Sequence, residues 1–580
     1  MGSQRRLDDF SSPGEAPAPL VVPPHRPHPE PLPGVWRVVD GLVEHPLLRP
    51  GVIRALPFQI DAARVGLDED LLVVLPTGLG KTVVAALIAA EVLRRQEAKV
   101  LVLAPTRPLV QQHSDSFRQW LVPLRTARFT GSVHRPVREG SWADADIVFA
   151  TPEIVQNDLV AERYDLKNVA LVVFDEAHHA VGKYVYVPIA ERYRAERPAG
   201  GHVLALTASP GGRDEHIEEV VAALGVTRIE AHSREDPGVA EYVQPIDVDY
   251  LWVDLAPVAE AIRTDLQAAA HATGRKLQKM GYLRKKPIDS ISVKDLIALR
   301  SEIFARPGPM VRKFGPLFHQ LVLLHLHHAQ ERLETQGVAP FLQYLERVAA
   351  KEKPSRGDLA FLKLPEVASA RAVAANFLKN SKEASHPKLD ALVGLVRETL
   401  EAARDRPVRI LVFAQYRDTI QSIQEVLETN GWAVARFVGQ ATRDKEDKGM
   451  SQKEQARVLA GFRAGQFPVL VASSVAEEGL DIPDVDLVVF FESVPSEIRA
   501  IQRRGRTGRS SVGRVTVMLT RETRDVRYQA AEVRRERAMR RIVRRLSSET
   551  RARRAAETDG SEAPPPVVPA QKGRAKKTSV

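Results

Sequence analysis

A glycine-rich loop follows the apolar run Leu71–Leu75 and opens a helical stretch that begins at Val83. Glycines let backbone N–H groups approach a polyphosphate, and the N-terminus of the following helix adds positive potential. We expect Lys81 to reach the terminal phosphates and the Thr82 hydroxyl to hold Mg²⁺. Leu75 stands where the general phosphate-loop pattern has its first glycine. The residues expected to bind the phosphates are Pro76, Thr77, Gly78, Leu79, Gly80, Lys81 and Thr82.

An acidic pair, Asp175 and Glu176, directly follows a second apolar run, Leu171–Phe174. Acidic pairs usually belong to solvated loops. After a hydrophobic strand and downstream of a phosphate loop, however, Asp175 is placed to hold Mg²⁺ through water and Glu176 to polarise an attacking water. The two motifs together predict hydrolysis of a nucleoside triphosphate.

An arginine-rich run spans Gln502–Arg509 (QRRGRTGR). Such a run on its own is more often a solvated basic loop. Downstream of the phosphate loop, we expect Arg506 and Arg509 to reach the γ-phosphate across a cleft from a second domain and to stabilise charge in the transition state. Gln502 is assigned to the same catalytic group.

The motifs lie among short, nearly continuous apolar runs that alternate with helical patterns, which indicates parallel strands buried on both faces. The pattern occurs twice and is interrupted by a segment with helical periodicity only. We predict an α/β fold of two doubly wound parallel-sheet domains with an all-α insert between them. The predicted boundaries are a disordered proline-rich arm at 1–45, a first domain at 46–250, the insert at 251–385, a second domain at 386–546 and a disordered basic tail at 547–580.

The composition narrows the class of protein. The 580 residues include no cysteine, which excludes disulfides, thiol nucleophiles, Cys-ligated zinc and iron–sulfur clusters and fits a reducing compartment. Lys and Arg (83) exceed Asp and Glu (73), and the net charge of +10 fits a polyanionic partner. The longest apolar run, Val83–Ala90, is far shorter than the roughly 18 residues of a membrane span. We expect a soluble intracellular protein.

These motifs, in this order, resemble those of Superfamily 2 helicases of the DEAH type, whose motor consists of two RecA-like domains. Several shorter motifs strengthen the resemblance: Phe58-Gln59, Ala104–Arg107 (APTR), Thr130-Gly131, Thr151-Pro152, Thr207–Ser209 (TAS), Phe413–Arg417 (FAQYR) and Ser473–Asp481 (SSVAEEGLD). Ser473 replaces the usual threonine but keeps a hydroxyl. The resemblance covers roughly residues 50–545.

A narrower resemblance is to the archaeal Hef and eukaryotic FANCM/Mph1 branch, whose members remodel forked and junction DNA. It is carried by the helical insert and by segments such as HPKLDAL (386–392), AEEGLDIPDVDLVVFFESVPSEIRAIQRRGRTGR (476–509) and TRDVRY (523–528). Full-length Hef also has an XPF-type nuclease, and we find no E-R-K nuclease core here. We therefore expect a helicase without nuclease activity, with a nuclease on a separate chain as an open alternative.

The resemblance implies roles for further residues. With ATP and Mg²⁺ as cofactors, Gln59 would read the adenine, Gly479 and Asp481 would contact the nucleotide, and His178, Thr207 and Ser209 would couple nucleotide state to the grip on the strand. The residues implied in single-strand contact are Pro105, Thr106, Arg107, Thr130, Gly131, Thr151, Pro152, Gln415 and Ser473. The implied location is the cytoplasm, in association with the nucleoid.

Two further segments predict partners. The run Gly274–Lys286 is basic, and we expect Lys279, Arg284, Lys285 and Lys286 to bind DNA phosphates, although a solvated helix face is the common alternative. Near the N-terminus, Gln4, Leu7 and Phe10 have the Q-x-x-L-x-x-F form of peptides that dock on the sliding clamp PCNA.

The sequence is compatible with three functions. The first is an ATP-dependent DNA helicase or translocase that remodels forks, D-loops or Holliday junctions in repair and fork restart. The second is an ATPase that depends on double-stranded RNA, because RNA-sensing helicases share the motor and the insert. The third is a scaffold that binds branched DNA without turnover, which the intact set of phosphate, acidic and arginine residues disfavours.

Overall fold

The computed structural model describes residues 35–131, 133–243, 246–283, 286–380, 386–403, 406–439, 449–473, 485–492 and 513–559. The description begins with an antiparallel ribbon, β1 (Arg37–Val39) and β2 (Leu42–Glu44). Trp36 and Val43 are buried, and Val43 N donates to Ile53 O at 2.8 Å. The prediction of a disordered arm reaching residue 45 is therefore wrong for residues 35–45, because they form this ribbon and bury Trp36 and Val43.

The first sheet has seven strands in the order β5-β6-β4-β7-β8-β3-β9. Pairing is parallel between β5 and β6, β6 and β4, β4 and β7, and β7 and β8. The five strands that the apolar runs predicted, β3, β4, β6, β7 and β8, are almost entirely buried, whereas the edge strand β5 buries only Phe129. The strands are β3 (Leu71–Val74), β4 (Lys99–Leu103), β5 (Thr126–Phe129), β6 (Ile147–Ala150), β7 (Val169–Phe174), β8 (His202–Thr207) and β9 (Arg228–Ala231).

Helices connect these strands and place each loop of interest at a strand end. Five of them have proline at one of their first two positions, which suits the N-terminus of a helix. The helices are α1 (Pro57–Val65), α2 (Lys81–Arg95), α3 (Arg107–Trp120), α4 (Arg135–Asp144), α5 (Pro152–Val160), α6 (Tyr186–Glu196), α7 (Asp214–Leu224) and α8 (Pro237–Ala240).

A helical insert begins shortly after β10 (Ile246–Val253). Its helices share one apolar core, whose buried residues include Leu266, Leu323, Phe341 and Phe361. The insert helices are α9 (Pro257–Lys279), α10 (Val293–Ala305), α11 (Met310–Gln336), α12 (Val338–Ala349), α13 (Arg356–Leu362) and α14 (Pro365–Asn380).

The second sheet has six strands in the order β10-β15-β14-β11-β13-β12, all paired in parallel. Strand β10 pairs with β15 along its whole length, so residues 246–250 belong to this sheet and not to the first domain as the predicted boundary had it. The elements are α15 (Pro387–Ala402), β11 (Ile410–Phe413), α16 (Arg417–Thr429), β12 (Val434–Phe437), α17 (Gln452–Arg463), β13 (Val469–Ala472), β14 (Leu487–Phe490) and β15 (Gly513–Thr520).

A 36-residue helix, α18 (Arg524–Asp559), follows the second sheet. Ser547 and Thr550 are buried, and the Ser547 hydroxyl bonds Asp236 at 2.6 Å. The prediction of a disordered tail from residue 547 is therefore wrong as far as residue 559. Its composition is polar and arginine-rich, but acidic and backbone groups near residues 229–236 hold it in place.

By internal contacts, α18, the insert and the second sheet belong to one compact unit. This unit includes everything from Leu206 to the end of the described chain, together with Leu72–Lys81 and Glu176–Tyr184. Among the described helices, none has the length and apolar character that crossing a membrane requires.

Candidate nucleotide and nucleic-acid site

The phosphate loop lies at the end of β3, and Lys81 is the first residue of α2. Gly78 and Gly80 have φ angles of +86° and +70°, which only glycine adopts without strain. The loop is narrow, since Leu79 N lies 3.4 Å from Pro76 O. The buried Thr77 hydroxyl has no hydrogen-bond partner among the described residues. The conformation therefore leaves polar groups available to an anion at a helix N-terminus.

Asp175 directly follows β7, and its carboxylate is held from one side by a histidine. His113 Nε2 on α3 lies 2.7 Å from Asp175 Oδ2, with both side chains nearly buried. The Tyr186 hydroxyl donates to the Asp175 carbonyl at 2.7 Å. These contacts fix the carboxylate at the end of the strand. Neither His113 nor Tyr186 carried a signal in the sequence, because each lies in an otherwise ordinary helix.

Glu176 adopts a left-handed conformation, with φ +48° and ψ +50°. This conformation is strained for a residue with a side chain, and such strain concentrates at functional positions. His178 Nδ1 lies 3.3 Å from Glu176 Oε2 and 3.2 Å from the Thr207 hydroxyl. The Thr207 hydroxyl also accepts from Ser209 N at 3.1 Å. The structure thus brings together the three residues predicted to couple nucleotide state to strand grip.

The same chain of contacts continues to α18. The Ser209 hydroxyl donates to the sulfur of Met539 at 2.9 Å, and both residues are buried. Met539 was not predicted as a site residue, because it lies 330 positions away in an arginine-rich helix. A polar path therefore leads from Glu176 through His178, Thr207 and Ser209 to the middle of α18.

The residues expected to contact a nucleic-acid strand lie after β4, β5 and β6, which are neighbours in the first sheet. The Thr106 hydroxyl caps α3 by accepting from Leu109 N at 3.4 Å. The Arg107 guanidinium lies so close to Gly131 that a Cβ there would be only 2.4 Å from Arg107 Nη2. Gly131 thus makes room for the arginine, and the structure brings two predicted strand-contact residues together. Pro105 and Thr130 flank this pair, and Thr151 and Pro152 begin α5.

In the second sheet, Gln415 and Ser473 follow the adjacent strands β11 and β13. Gln415 N donates to Glu492, whose other carboxylate oxygen lies 3.4 Å from the Thr419 hydroxyl. Ser473 N donates to Phe437 O at 2.9 Å, while its buried hydroxyl has no hydrogen-bond partner among the described residues.

A buried polar junction joins the insert to the second sheet and α18. Lys388 Nζ forms an ion pair with Asp525 and donates to Phe491 O at 2.8 Å. Arg524 donates to His327 O at 2.9 Å and to Gln330 at 2.7 Å, and its backbone N–H donates to Glu334 at 2.9 Å. This junction uses the HPKLDAL and TRDVRY segments that carried the family resemblance, and it gives those segments a structural role.

Two histidines of the junction are held neutral. His386 Nε2 faces Glu334 O at 3.3 Å and His386 Nδ1 accepts from Lys388 N at 3.1 Å, so an added proton has no acceptor. Burial, with a smaller contribution from Lys388, lowers the pKa of His386 to about 3. Burial and then Arg524 likewise lower the pKa of His327 to about 3.

The insert also contacts the motif around Tyr416. The guanidinium of Arg332 lies 5.3 Å from the centre of the Tyr416 ring, within cation–π range. Arg347 pairs with Asp418 at 3.4 Å. Because the junction and these contacts involve α11 and α12, the insert is connected to the second sheet at several points.

The remaining predicted residues are placed as follows. Gln59 is buried in the first turn of α1. Lys279 is exposed at the end of α9, whereas Lys286 is paired with Asp295. Burial would raise the pKa of Asp295, but hydrogen bonds from Lys286 and Ser292 lower it to about 2. The predicted residues that lie outside the described part of the chain are Gln4, Leu7, Phe10, Arg284, Lys285, Gly479, Asp481, Gln502, Arg506 and Arg509.

The donor atoms present fit Mg²⁺ with a nucleotide. The Thr82 hydroxyl and the Asp175 carboxylate are hard oxygen donors, and Mg²⁺ commonly takes one or two protein oxygens and completes its shell with phosphates and water. The described residues contain no cluster of three or more His, Asp or Glu side chains suited to holding a metal by themselves. A site built with the nucleotide is therefore the arrangement these residues suit.

Comparison with known proteins yields two family matches. The DEAD/DEAH box helicase family matches residues 56–216, and the helicase conserved C-terminal domain matches residues 387–511. The chain is similar to the crystal structure of the Pyrococcus furiosus Hef helicase domain, with 38% identity, a TM-score of 0.63, and coverage of 84% of this chain and 99% of that one. The fold prediction of two RecA-like parallel-sheet domains with helical content is confirmed.

Among longer relatives, the chain is 34% identical over 87% of its length to a Methanocaldococcus jannaschii protein provisionally named an ATP-dependent RNA helicase. It is 33% identical over 82% of its length to the ATP-dependent DNA helicase MPH1 of Pyricularia oryzae. It spans 62% and 44% of those two proteins, respectively. With the ordered motifs, the sheets that position them and these similarities in view, the chain belongs to the Hef/FANCM/Mph1-type family of Superfamily 2 helicases, which are ATP-hydrolysing enzymes.

Proposed function

We propose that this chain uses ATP hydrolysis to move along DNA and to remodel branched DNA, such as forks, D-loops and Holliday junctions, in repair and fork restart. The observation that carries the proposal is that two groups of neighbouring strands in the first sheet end in residues suited to different ligands. Strands β7, β8 and β3 end in the residues suited to a nucleotide, and the neighbouring strands β4, β6 and β5 end in residues suited to a phosphate backbone. Such an arrangement supports a motor in which one sheet holds both ligands.

The roles we propose at the nucleotide follow from the side chains. Lys81 binds the terminal phosphates, Thr82 and Asp175 hold Mg²⁺, and Glu176 orients the attacking water. When bound, Mg²⁺ neutralises charge on the phosphates. His113 keeps the Asp175 carboxylate in position. Gln59 reads the adenine. Among the residues outside the described part of the chain, we propose that Gly479 and Asp481 contact the nucleotide and that Gln502, Arg506 and Arg509 complete the catalytic group.

The roles we propose at the DNA strand rest on recognition of its sugar-phosphate backbone. Hydroxyls, main-chain amides and Arg107 offer hydrogen bonds to phosphate oxygens and read no bases, which suits stepping along any sequence. The path from Glu176 through His178 and Thr207 to Ser209 supports communication between hydrolysis and strand grip. PCNA binding through Gln4, Leu7 and Phe10, and a nuclease on a separate chain, stay as predictions, as does a location at the nucleoid.

The test is ATP turnover by the purified chain without nucleic acid and with single-stranded DNA, forked DNA, a Holliday junction or double-stranded RNA. We expect the strongest stimulation from forked or four-way DNA and its loss in Lys81→Ala. Stimulation by double-stranded RNA alone would contradict the proposal and favour an RNA-dependent ATPase. The Methanocaldococcus relative is named as an RNA helicase, which is the observation in favour of that alternative. If none of these nucleic acids supports ATP turnover, the proposal is contradicted and the chain is better described as a scaffold that binds branched DNA.

A further inference from the structure

One end of the insert carries an unusual group of exposed apolar side chains, which we call the tip patch. Its members are Met280 (42% exposed), Phe304 (44%), Met310 (47%), Val311 (77%) and Phe314 (59%). Single exposed apolar residues are normal, but a cluster marks a surface that binds something.

Hydrogen bonds and close side-chain contacts bring the three segments of the patch together. Lys313 Nζ donates to Phe304 O at 2.6 Å, which joins the start of α11 to the end of α10. Arg306 Nη2 donates to Gly281 O at 3.2 Å, and its guanidinium lies 3.9 Å above the Tyr282 ring, which joins α10 to the residues after α9. A Cβ on Gly315 would lie 3.9 Å from the Met280 methyl group. The patch is therefore one surface formed by three helix ends.

The turn between α10 and α11 supports this surface. Its sequence, Arg306–Pro309 (RPGP), restricts the backbone at two prolines, and Gly308 has a φ of +131°. A restricted turn holds Phe304 and Phe314 in place and lowers the entropy cost of ordering them on a ligand.

The charge of the surface is strongly positive. Within residues 279–282 and 302–315 the basic residues are Lys279, Arg306, Arg312 and Lys313, and the only acid is Glu302, which pairs with Arg306 at 2.6 Å. A partner that complements this surface carries negative charge and also covers aromatic rings. Unpaired bases joined by phosphates meet both requirements, since bases stack on aromatic side chains and phosphates pair with Lys and Arg. Intact duplex hides its bases and therefore supplies only the negative charge.

We infer that the tip patch stacks on the unpaired bases at a DNA branch point, with Phe304 and Phe314 as the stacking residues and the surrounding Lys and Arg on the adjoining phosphates. This inference rests on the proposed function, and it assigns to Phe304 and Phe314 the ability to distinguish branched from continuous DNA. Phe304 and Phe314 contact the bases, whereas Arg312 and Lys313 contribute affinity that does not depend on DNA form.

The test measures binding of the full chain to a fork and to a blunt duplex by fluorescence anisotropy over a range of salt concentrations. For Phe304→Ala/Phe314→Ala we expect affinity for the fork to fall at least about fivefold, the lower bound for losing one stacked base, with duplex affinity and salt slope unchanged. For Arg312→Gln/Lys313→Gln we expect both affinities to fall and the salt slope to decrease. A 2-aminopurine base beside the branch should lose its fluorescence change on binding only in the phenylalanine variant.

Two controls separate stacking from folding. Phe304→Trp/Phe314→Trp keeps the rings and should retain fork affinity, and Leu359→Ala/Val373→Ala removes exposed apolar side chains elsewhere on the insert and should have no effect. Equal losses on fork and duplex, or an unchanged fork affinity in the alanine variant, would overturn the inference while leaving DNA-dependent turnover intact. Failure to bind any DNA would instead overturn the proposed function.

Discussion

The nucleotide edge of the first sheet and the buried junction beneath the insert differ in how their polar groups are used. At the nucleotide edge, the Thr77 hydroxyl is unpaired among the described residues and Glu176 is held in a strained conformation. At the junction, Lys388 meets Asp525 and Arg524 meets Glu334 within the protein. The nucleotide edge leaves hydrogen-bonding groups available for ligands, whereas the junction pairs its charged groups with one another and so connects parts of the chain. Substitutions should therefore affect turnover in one region and stability in the other.

The largest effect should come from Lys388→Met. Both Lys388 and Asp525 are almost completely buried, so removing the cation leaves a buried carboxylate without its counter-charge. We expect the free energy of unfolding to fall by about 3–5 kcal/mol, measured by urea denaturation followed by circular dichroism. The double variant Lys388→Met/Asp525→Leu should recover most of the loss. A single variant as stable as the parent would show that the junction is not structural.

The next largest effect should come from Glu176→Gln, and it should appear in turnover. The substitution keeps the shape of the side chain but removes the carboxylate that orients water, so we expect ATP turnover to fall about 100-fold or more. The unfolding midpoint should stay within about 2 °C of the parent. A large loss of stability with modest loss of turnover would reverse the comparison between the two regions.

A smaller effect should follow from pH. His386 and His327 have a pKa near 3 in the folded chain and an ordinary value of 6.5 when unfolded. The unfolded chain therefore binds more protons between these values, and stability falls as pH drops below 6.5, by up to about 1.4 kcal/mol per pH unit for each histidine. His386→Asn keeps an acceptor for Lys388 N but cannot titrate, so its stability should vary less between pH 7 and 5.5. Equal slopes would contradict a neutral buried His386.

The smallest effect should come from Arg545→Ala on α18. Arg545 pairs with Asp214 at 2.6 Å, but both side chains are about half exposed, so water and salt screen the pair. We expect a loss below about 1 kcal/mol at low salt and none at 0.5 M salt, measured by the same denaturation. A loss as large as that of Lys388→Met would mean that α18 is held by its surface pairs.

The sequence was sufficient for the features that depend on short spacing. The phosphate loop, the acidic pair after β7 and the alternation of strands and helices follow from glycines, charges and apolar runs that are near each other in the chain. The same local reasoning failed for β10, because its polar residues 247 and 249 obscure a strand whose partner, β15, lies 267 positions later. It also failed for His113 and Met539, since nothing near either residue indicates what it touches.

The C-terminal half of α18 has a practical consequence for shortening the chain. A version ending at residue 546 would contain every helicase motif, yet it would lack Ser547 and Arg551, which bind Asp236, and Arg554, which binds Glu230. Glu230 is completely buried and, among the described residues, would keep its contact with Arg228 but lose that with Arg554. The strand β9 at the edge of the first sheet would then lose its covering helix turns. The last motif in the sequence is therefore a poor guide to where this enzyme can be cut, and residue 559 is the safer end.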